Sequence, residues 1–340
     1  MADSENILQT IAAANRERVA AAKKKMPLEV LATQASEMAY SELLTSSEGR
    51  FTFPFEAALR QRGLSFICET KRASPSKGLI APDYDPVAIA RDYEAAGAAA
   101  ISCLTEPQWF QGSLEQLSAV AQAVEVPVLR KDFVVDEYMV FEAKVAGAQA
   151  VLLICSILDD EQLASCVGLC HQLGMSALVE AYEPEEVPRA LAAGARVVGV
   201  NNRDLRSFEV DFDRSIELRA SVGRDKVFVA ESGVKTRADV ERLEEAGVDA
   251  VLIGETLMRA EDKRAKLDEL RGAARGGAGL AARAGGVHPR EALRHVARRG
   301  HRRRHGGAAG YVRLHRGFPE VAPQRVARAP RGFVRAHGRG

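Results

Sequence analysis

Apolar residues along this chain gather into eight short, nearly continuous runs. Stretches with helical spacing of apolar and charged positions separate them. Four runs share one junction, in which a helical stretch ends in Ala-Gly-Ala or Ala-Gly-Val and passes straight into the run. The instances are AGAAAISCL (96–104), AGAQAVLLI (146–154), AGARVVGVN (193–201) and AGVDAVLIG (246–254). Glycine there suits the left-handed residue that closes a helix. Runs that are apolar at every position suit strands of a parallel sheet buried on both faces. Four further runs complete the pattern: SFICETK (65–71), VPVLRK (126–131), SALVEAY (176–182) and KVFVAES (226–232). Their spacing of about 20–35 residues is that of one strand plus one helix. Eight such units predict an α/β fold, a closed (β/α)8 TIM barrel, over residues 46–270.

The expected helices are PVAIARDYEAAG, SLEQLSAVAQAV, EYMVFEAKVAG, DEQLASCVGLCHQLG, EEVPRALAAG, FDRSIELRASVG and RADVERLEEAG, with MRAEDKRAKLDELRG last. Pro188 predicts a late start or a kink in the fifth. Residues 1–45 read as an N-terminal extension of one or two amphipathic helices, broken at Met26-Pro27.

Composition fits a globular body. Of 340 residues, 46% are hydrophobic and 27% charged, enough to bury a core. No apolar run reaches about 18 residues, and the N-terminus lacks a signal-peptide core, so a cytoplasmic protein is expected. Cys68, Cys103, Cys155, Cys166 and Cys170 lie in apolar or helical contexts with no CxxC pair. They read as buried reduced thiols, and no metal site is expected.

The net charge of +1 conceals an asymmetry. Residues 271–340 hold 17 arginines against two acids, a net +15, while the rest carries 30 basic and 44 acidic groups, a net −14. That tail has no Ser, Thr, Asp or Asn, and so none of the usual caps and turn formers. It reads as a low-complexity basic tail, either disordered or a non-native product of a frame shift. Arginine density raises polyanion binding as an alternative. Only Tyr311, Phe318 and Phe333 could stack on bases, so no nucleic-acid partner is expected.

Active sites of such barrels lie at the C-terminal ends of the strands. Glu69 and Lys71 end the first run, Lys131 the third, Glu180 the fifth, Asn201 the sixth and Glu231 the seventh. Charged groups on apolar strands need partners or a purpose. Small residues after the last two runs, Ser232-Gly233 and Gly254-Glu255, suit a phosphate held by backbone N–H groups. Ser74, Ser76 and Lys77 on the first loop could reach the same group. The glycine–lysine spacing of a Walker A loop is absent.

At this point a resemblance carries further. ETKRASPSKG (69–78), LTEPQWFQGS (104–113), LRKDFVVDEY (129–138), LVEAYEPEE (178–186), VGVNNRDLRSFEVD (198–211), VAESGV (229–234) and LIGETLMRAED (252–262) resemble, in order, the indole-3-glycerol-phosphate synthase family of tryptophan biosynthesis. The likeness runs from about residue 5 to 270. It implies ring closure of 1-(2-carboxyphenylamino)-1-deoxyribulose 5-phosphate with loss of carbon dioxide and water. It implies Lys131 as general acid and Glu180 as the partner carboxylate, usually taken as base. Lys71 would pair with the anthranilate carboxylate and serve as a second acid, and Glu69 would orient the lysines. Asn201 and Glu231 would hold the sugar hydroxyls or the anilino nitrogen. Arg203 and Ser232 are implied substrate contacts. Ser74, Gly233, Gly254 and the backbone at Glu255 would take the phosphate, and Phe110, Phe133 and Leu152 would wall the aromatic ring. No cofactor is implied.

A second lysine nearby and partial burial are expected to lower the Lys131 pKa. A monomer is expected, and the tail is compatible with a lost fusion to phosphoribosylanthranilate isomerase. The competing reading is another phosphate-binding barrel isomerase of tryptophan or histidine biosynthesis; those rely on an Asp or Cys pair rather than a Lys–Glu–Lys set. Deleting residues 271–340 should leave turnover intact and abolish any salt-sensitive binding to polyanions; loss of turnover would contradict the reading of the tail.

Overall fold

In the computed structural model, which describes residues 7–204 and 207–272, the N-terminal segment forms two helices. α1 (Ile7–Lys25) buries Leu8, Ile11, Ala12, Asn15 and Val19 at helical spacing. α2 (Leu28–Thr45) follows directly after Pro27, whose fixed φ and missing N–H separate the two. α3 (Pro54–Leu59) leads into the barrel.

The eight apolar runs are strands, and the loop after the first holds a small hairpin that hydrophobic patterning did not announce. In order they run β1 (Ser65–Thr70), the hairpin β2 (Ala73–Ser74) and β3 (Gly78–Leu79), α4 (Pro86–Ala95), β4 (Ala100–Leu104), α5 (Leu114–Ala123), β5 (Val128–Lys131), α6 (Glu137–Val145) and β6 (Ala150–Ile154). The chain continues through α7 (Asp160–Gln172), β7 (Ser176–Ala181), α8 (Glu186–Ala192), β8 (Val197–Asn201), α9 (Asp213–Arg219), β9 (Val227–Glu231), α10 (Arg237–Ala246) and β10 (Ala250–Ile253). α11 (Glu255–Met258) and α12 (Lys263–Arg271) close it. All eight barrel strands pair in parallel, in the order β1-β10-β9-β8-β7-β6-β5-β4, and β4 returns to β1. Every barrel strand is buried along its length apart from the half-buried Lys131 at the end of β5, because helices cover the outside and side chains fill the inside.

The repeated junction works as its chemistry requires. Gly97, Gly147, Gly194 and Gly247 all have φ between 74° and 90°. Two helices differ from expectation. Pro188 lies in the first turn of α8, where no intrahelical donor is needed, so the helix neither starts late nor kinks there. The expected last helix is two, because the Asp262 carboxylate accepts from Ala265 N and starts α12 afresh. Arg271 of α12 bonds the carbonyls of Ala96 and Gly97, so a truncation that preserves the barrel should begin after Gly272. Residues 273–340, the basic tail of the sequence reading, lie outside the described residues. The described residues all belong to one compact unit, and no helix among them is long and apolar enough to cross a membrane.

α1 and α2 are attached to the barrel by polar bonds as well as by packing. The buried Asp132, next to Lys131, accepts from Asn15 Nδ2 at 2.9 Å, Arg18 Nη2 at 2.7 Å, Thr105 Oγ1 at 2.6 Å and Arg130 Nη2 at 3.2 Å. Burial works against its charge, but Arg130 and Arg18 outweigh that and hold the carboxyl below its ordinary value. Lys144 on α6 pairs with Glu42 on α2 at 2.6 Å. Removing one partner of a buried pair strands the other, so Asp132→Ala, which leaves Arg130 buried and short of an anion, should destabilise by about 3–5 kcal/mol in urea unfolding. A loss below about 1 kcal/mol would show that the charge cluster is not structural.

Candidate active site

A cavity of about 540 Å³ opens where the strands end, and five strands deliver charged or amide side chains into it. β1 supplies Glu69, followed by Lys71; β5 supplies Lys131, β7 Glu180, β8 Asn201 and β9 Glu231. Parallel register sets neighbours side by side, Asn201 beside Glu231 and Leu104 beside Lys131. Lys131 Nζ lies 3.4 Å from Glu180 Oε2 and 3.3 Å from Glu231 Oε2. Asn201 Nδ2 donates to Glu180 Oε1 at 3.3 Å, and Lys71 is ion-paired with Glu69. Glu69, Glu180 and Glu231 are each no more than 3% exposed. Gly199 on β8 leaves room for this crowd: a Cβ there would stand 2.4 Å from Glu231 Oε1.

The electrostatics follow from three buried carboxylates and few cations. Burial, reinforced by Glu180 and only partly offset by Lys131, pushes the Glu231 carboxyl up to about 8. One ammonium cannot neutralise two buried carboxylates at once. The expected lowering of Lys131 is reversed. Burial does press its ammonium toward neutrality, but Glu231, Glu180 and Glu69 together outweigh burial and raise its pKa well above the ordinary lysine value. Lys71, the group expected to repel it, is occupied by Glu69.

Directly after Glu231 of the charged cluster, Ser232 (φ 68°) and Gly233 (φ 93°) are consecutive left-handed residues, which aim main-chain N–H groups in a shared direction. Gly254 precedes α11, and Ser74 of the hairpin lines the same end of the cavity. The Glu255 carboxylate pairs with Arg259 Nε at 3.1 Å and approaches Arg203 Nη2 at 3.9 Å, all three residues lining the cavity. Arg203 also donates to Phe208 O at 3.1 Å, and Arg203 N bonds Asn201 Oδ1 at 3.0 Å. On another wall the Phe110 and Phe133 rings stand 5.9 Å apart, tilted by 39°, with Leu152 on the same cavity.

Every site residue expected from the sequence lines this one cavity. Sequence reasoning missed Leu8 and Ile11 of α1, and the cations Lys235 and Arg259 at the rim. The readable sign for α1 was polar Asn15 interrupting its apolar stripe. For the cations it was a basic residue shortly after each phosphate-loop glycine, in ESGVK and GETLMR. All five cysteines are buried and free, and burial raises the Cys68 and Cys103 thiols to about 12, so they are inert.

These features define a class: a (β/α)8 barrel enzyme with a lysine–carboxylate cluster at the strand ends, in one cavity with glycine-bearing loops and a pair of phenylalanines. A family model described as indole-3-glycerol phosphate synthase matches residues 8–270. The chain is 48% identical over 267 residues to the indole-3-glycerol phosphate synthase of Lachnoclostridium phytofermentans, covering 78% of this chain and 98% of that protein. It is 48% identical over 268 residues to the Ruminiclostridium cellulolyticum protein of that name, covering 79% and 100%. Among solved structures, a 3-hexulose-6-phosphate synthase at 20% identity superposes with a TM-score of 0.52 over 62% of this chain and 99% of that one, a likeness of fold. The chain belongs to the indole-3-glycerol phosphate synthase family.

The raised Glu231 has a pH signature. The folded protein holds this proton where the unfolded chain has released it, so its contribution to stability is lost as pH rises from about 4.5 to 8. Glu231→Gln should remove that decline, so that urea unfolding at about pH 5 and about pH 8.5 differs less in the variant than in the parent. Parallel pH curves for the two proteins would contradict the shared-ammonium geometry.

Proposed function

We infer that this chain closes the indole ring of 1-(2-carboxyphenylamino)-1-deoxyribulose 5-phosphate, releasing one carbon dioxide and one water to give indole-3-glycerol phosphate. Family membership at 48% identity over nearly the whole of its relatives supports the activity. The observation that carries the residue roles is a single ammonium, Lys131, held 3.3–3.4 Å from two buried carboxylates at the mouth.

The phosphate sits on the backbone at Gly233, Gly254 and Glu255 with Ser74 and Ser232, and Arg203 adds charge nearby. The aryl ring lies against the wall formed by the contacting Phe110 and Phe133 rings and Leu152, and Lys71 leaves Glu69 to meet its carboxylate. The ring carbon bearing that carboxylate then attacks the ketone carbon. As the bond forms, negative charge grows on the ketone oxygen, and Lys131 donates a proton to it. A lysine whose pKa lies above its ordinary value is a weak acid in the empty site but is always charged. Its work begins as electrostatic stabilisation of the oxyanion, and it releases the proton to a much stronger base.

The carboxylate departs as carbon dioxide, its bonding electrons restoring the aromatic ring through the iminium-like centre. In the last step Glu180 removes a proton from the carbon next to nitrogen while Lys71 protonates the leaving hydroxyl. Asn201 holds Glu180 in place, and Glu231, which keeps its proton until about pH 8, contacts the sugar hydroxyls. Glu180 then passes its proton to Lys131, and Lys71 regains one from solvent and its pairing with Glu69, so each cycle takes up the single proton that loss of carbon dioxide requires. All of these groups come from one chain, which fits a monomer, and five reduced thiols fit the cytoplasm.

The direct experiment is turnover of the carboxyphenylamino substrate, followed by the absorbance and fluorescence of the indole product. Turnover of phosphoribosylanthranilate instead would refute the assignment. Lys131→Met should fold and bind substrate but lose about 10²–10⁴-fold in kcat, the range of a positioned general acid. Near-normal kcat would remove Lys131 from that role.

A further inference from the structure

One wall of the aromatic slot is moulded by a carboxylate that takes no part in the steps above. Glu106 follows β4 and is 1% exposed. Its side chain is engaged by main-chain amides: Oε1 accepts from Gln108 N at 2.9 Å, and Oε2 accepts from Trp109 N at 2.7 Å and Phe110 N at 2.9 Å. Its carbonyl accepts from Gly112 N at 2.8 Å, which closes the segment into a ring. Gln111 is left-handed at φ 55°, and a Cβ on Gly112 would lie 2.2 Å from the Leu104 carbonyl oxygen, so the loop folds back hard against its strand. Residues 107–112 form neither helix nor strand. The carboxylate supplies the hydrogen bonds that regular structure would otherwise provide, and three bonds to a charged acceptor meet the cost of burying it.

We propose that Glu106 is a positioning residue for substrate: through the amides of Trp109 and Phe110 it holds the Phe110 ring against Phe133, so that the two rings form one wall for a flat aryl group, and so sets affinity for the aromatic half without touching it. This rests on the slot taking the aryl ring, as inferred under the proposed function. A carboxamide at position 106 keeps one acceptor but turns an N–H₂ toward an amide donor, and it loses the charge from all three bonds. Phe110 is then free to tilt, while Ser232, Gly233 and Gly254, which sit on the separate loops after β9 and β10, keep their own backbone.

The probes are anthranilate for the slot and inorganic phosphate for the cradle, with binding measured by calorimetry so that the reading does not depend on turnover. Glu106→Gln should weaken anthranilate by about tenfold and leave phosphate within about twofold. In a Phe110→Ala background the same change should cost little more, because both act through one ring. Trp109, the one tryptophan in the chain, reports on the loop, and acrylamide should quench its fluorescence more readily in the variant. If Glu106→Gln fails to fold, Glu106→Asp, which keeps the charge and shortens the reach, takes its place in each comparison. Equal weakening of both probes, full additivity with Phe110→Ala, or unchanged anthranilate affinity would overturn the proposal while leaving the slot intact. A parent protein indifferent to anthranilate would overturn the slot reading and the proposal together.

Discussion

One ammonium set between two buried carboxylates governs the mouth of this barrel. Glu180 and Glu231 favour the charged form of Lys131, and Glu231 cannot ionise cheaply because Lys131 is already shared. Such a cluster is expensive to bury and would be replaced by apolar side chains if stability alone mattered. Its place, at the strand ends of a parallel barrel and beside the glycines that follow β9 and β10, gives the cost a purpose under the proposed function. The cluster is a charged surface waiting for a substrate that brings its own carboxylate, carbonyl and phosphate.

The fold serves that cluster from behind. Side chains alternate along β5, so Lys131 enters the cavity while Arg130 before it does not line it. Asp132 is held by Asn15 and Arg18 of α1, and Asn15 also donates to the Phe133 carbonyl at 2.8 Å. One helix thus steadies both the acid lysine and a wall of the aromatic slot. Leu8 and Ile11 on the same helix face the cavity itself. The N-terminal segment is therefore part of the site's construction as well as a cover for apolar surface.

Much of this was readable beforehand, for physical reasons. Strands buried on both faces carry an unmistakable apolar pattern, and a helix that must turn into such a strand needs a left-handed residue, so Gly97, Gly147, Gly194 and Gly247 marked the junctions. Polar residues at strand ends, such as Lys131 and Glu180, stood out against apolar runs. What escaped was set by distant contacts. The hairpin at Ala73–Leu79 has too few residues to show periodicity, and Asp262 outcompeted a continuous helix by capping. The direction of the Lys131 shift depended on how many carboxylates converge on it, and strand order alone decides that. Glu106 looked like an ordinary loop acid, because hydrogen bonds to its own main chain leave no trace in spacing.

The most direct test of the central claim is a titration of the glutamate side-chain carboxyls in the free enzyme, by carbon NMR of isotope-labelled glutamate, with Glu231→Gln to assign the signal. One carboxyl should give up its proton near pH 8, and its signal should vanish in that variant. If every glutamate titrated in the ordinary range of about 4–5, Lys131 would not be shared between two buried acids, and the site would have to be rebuilt on other groups.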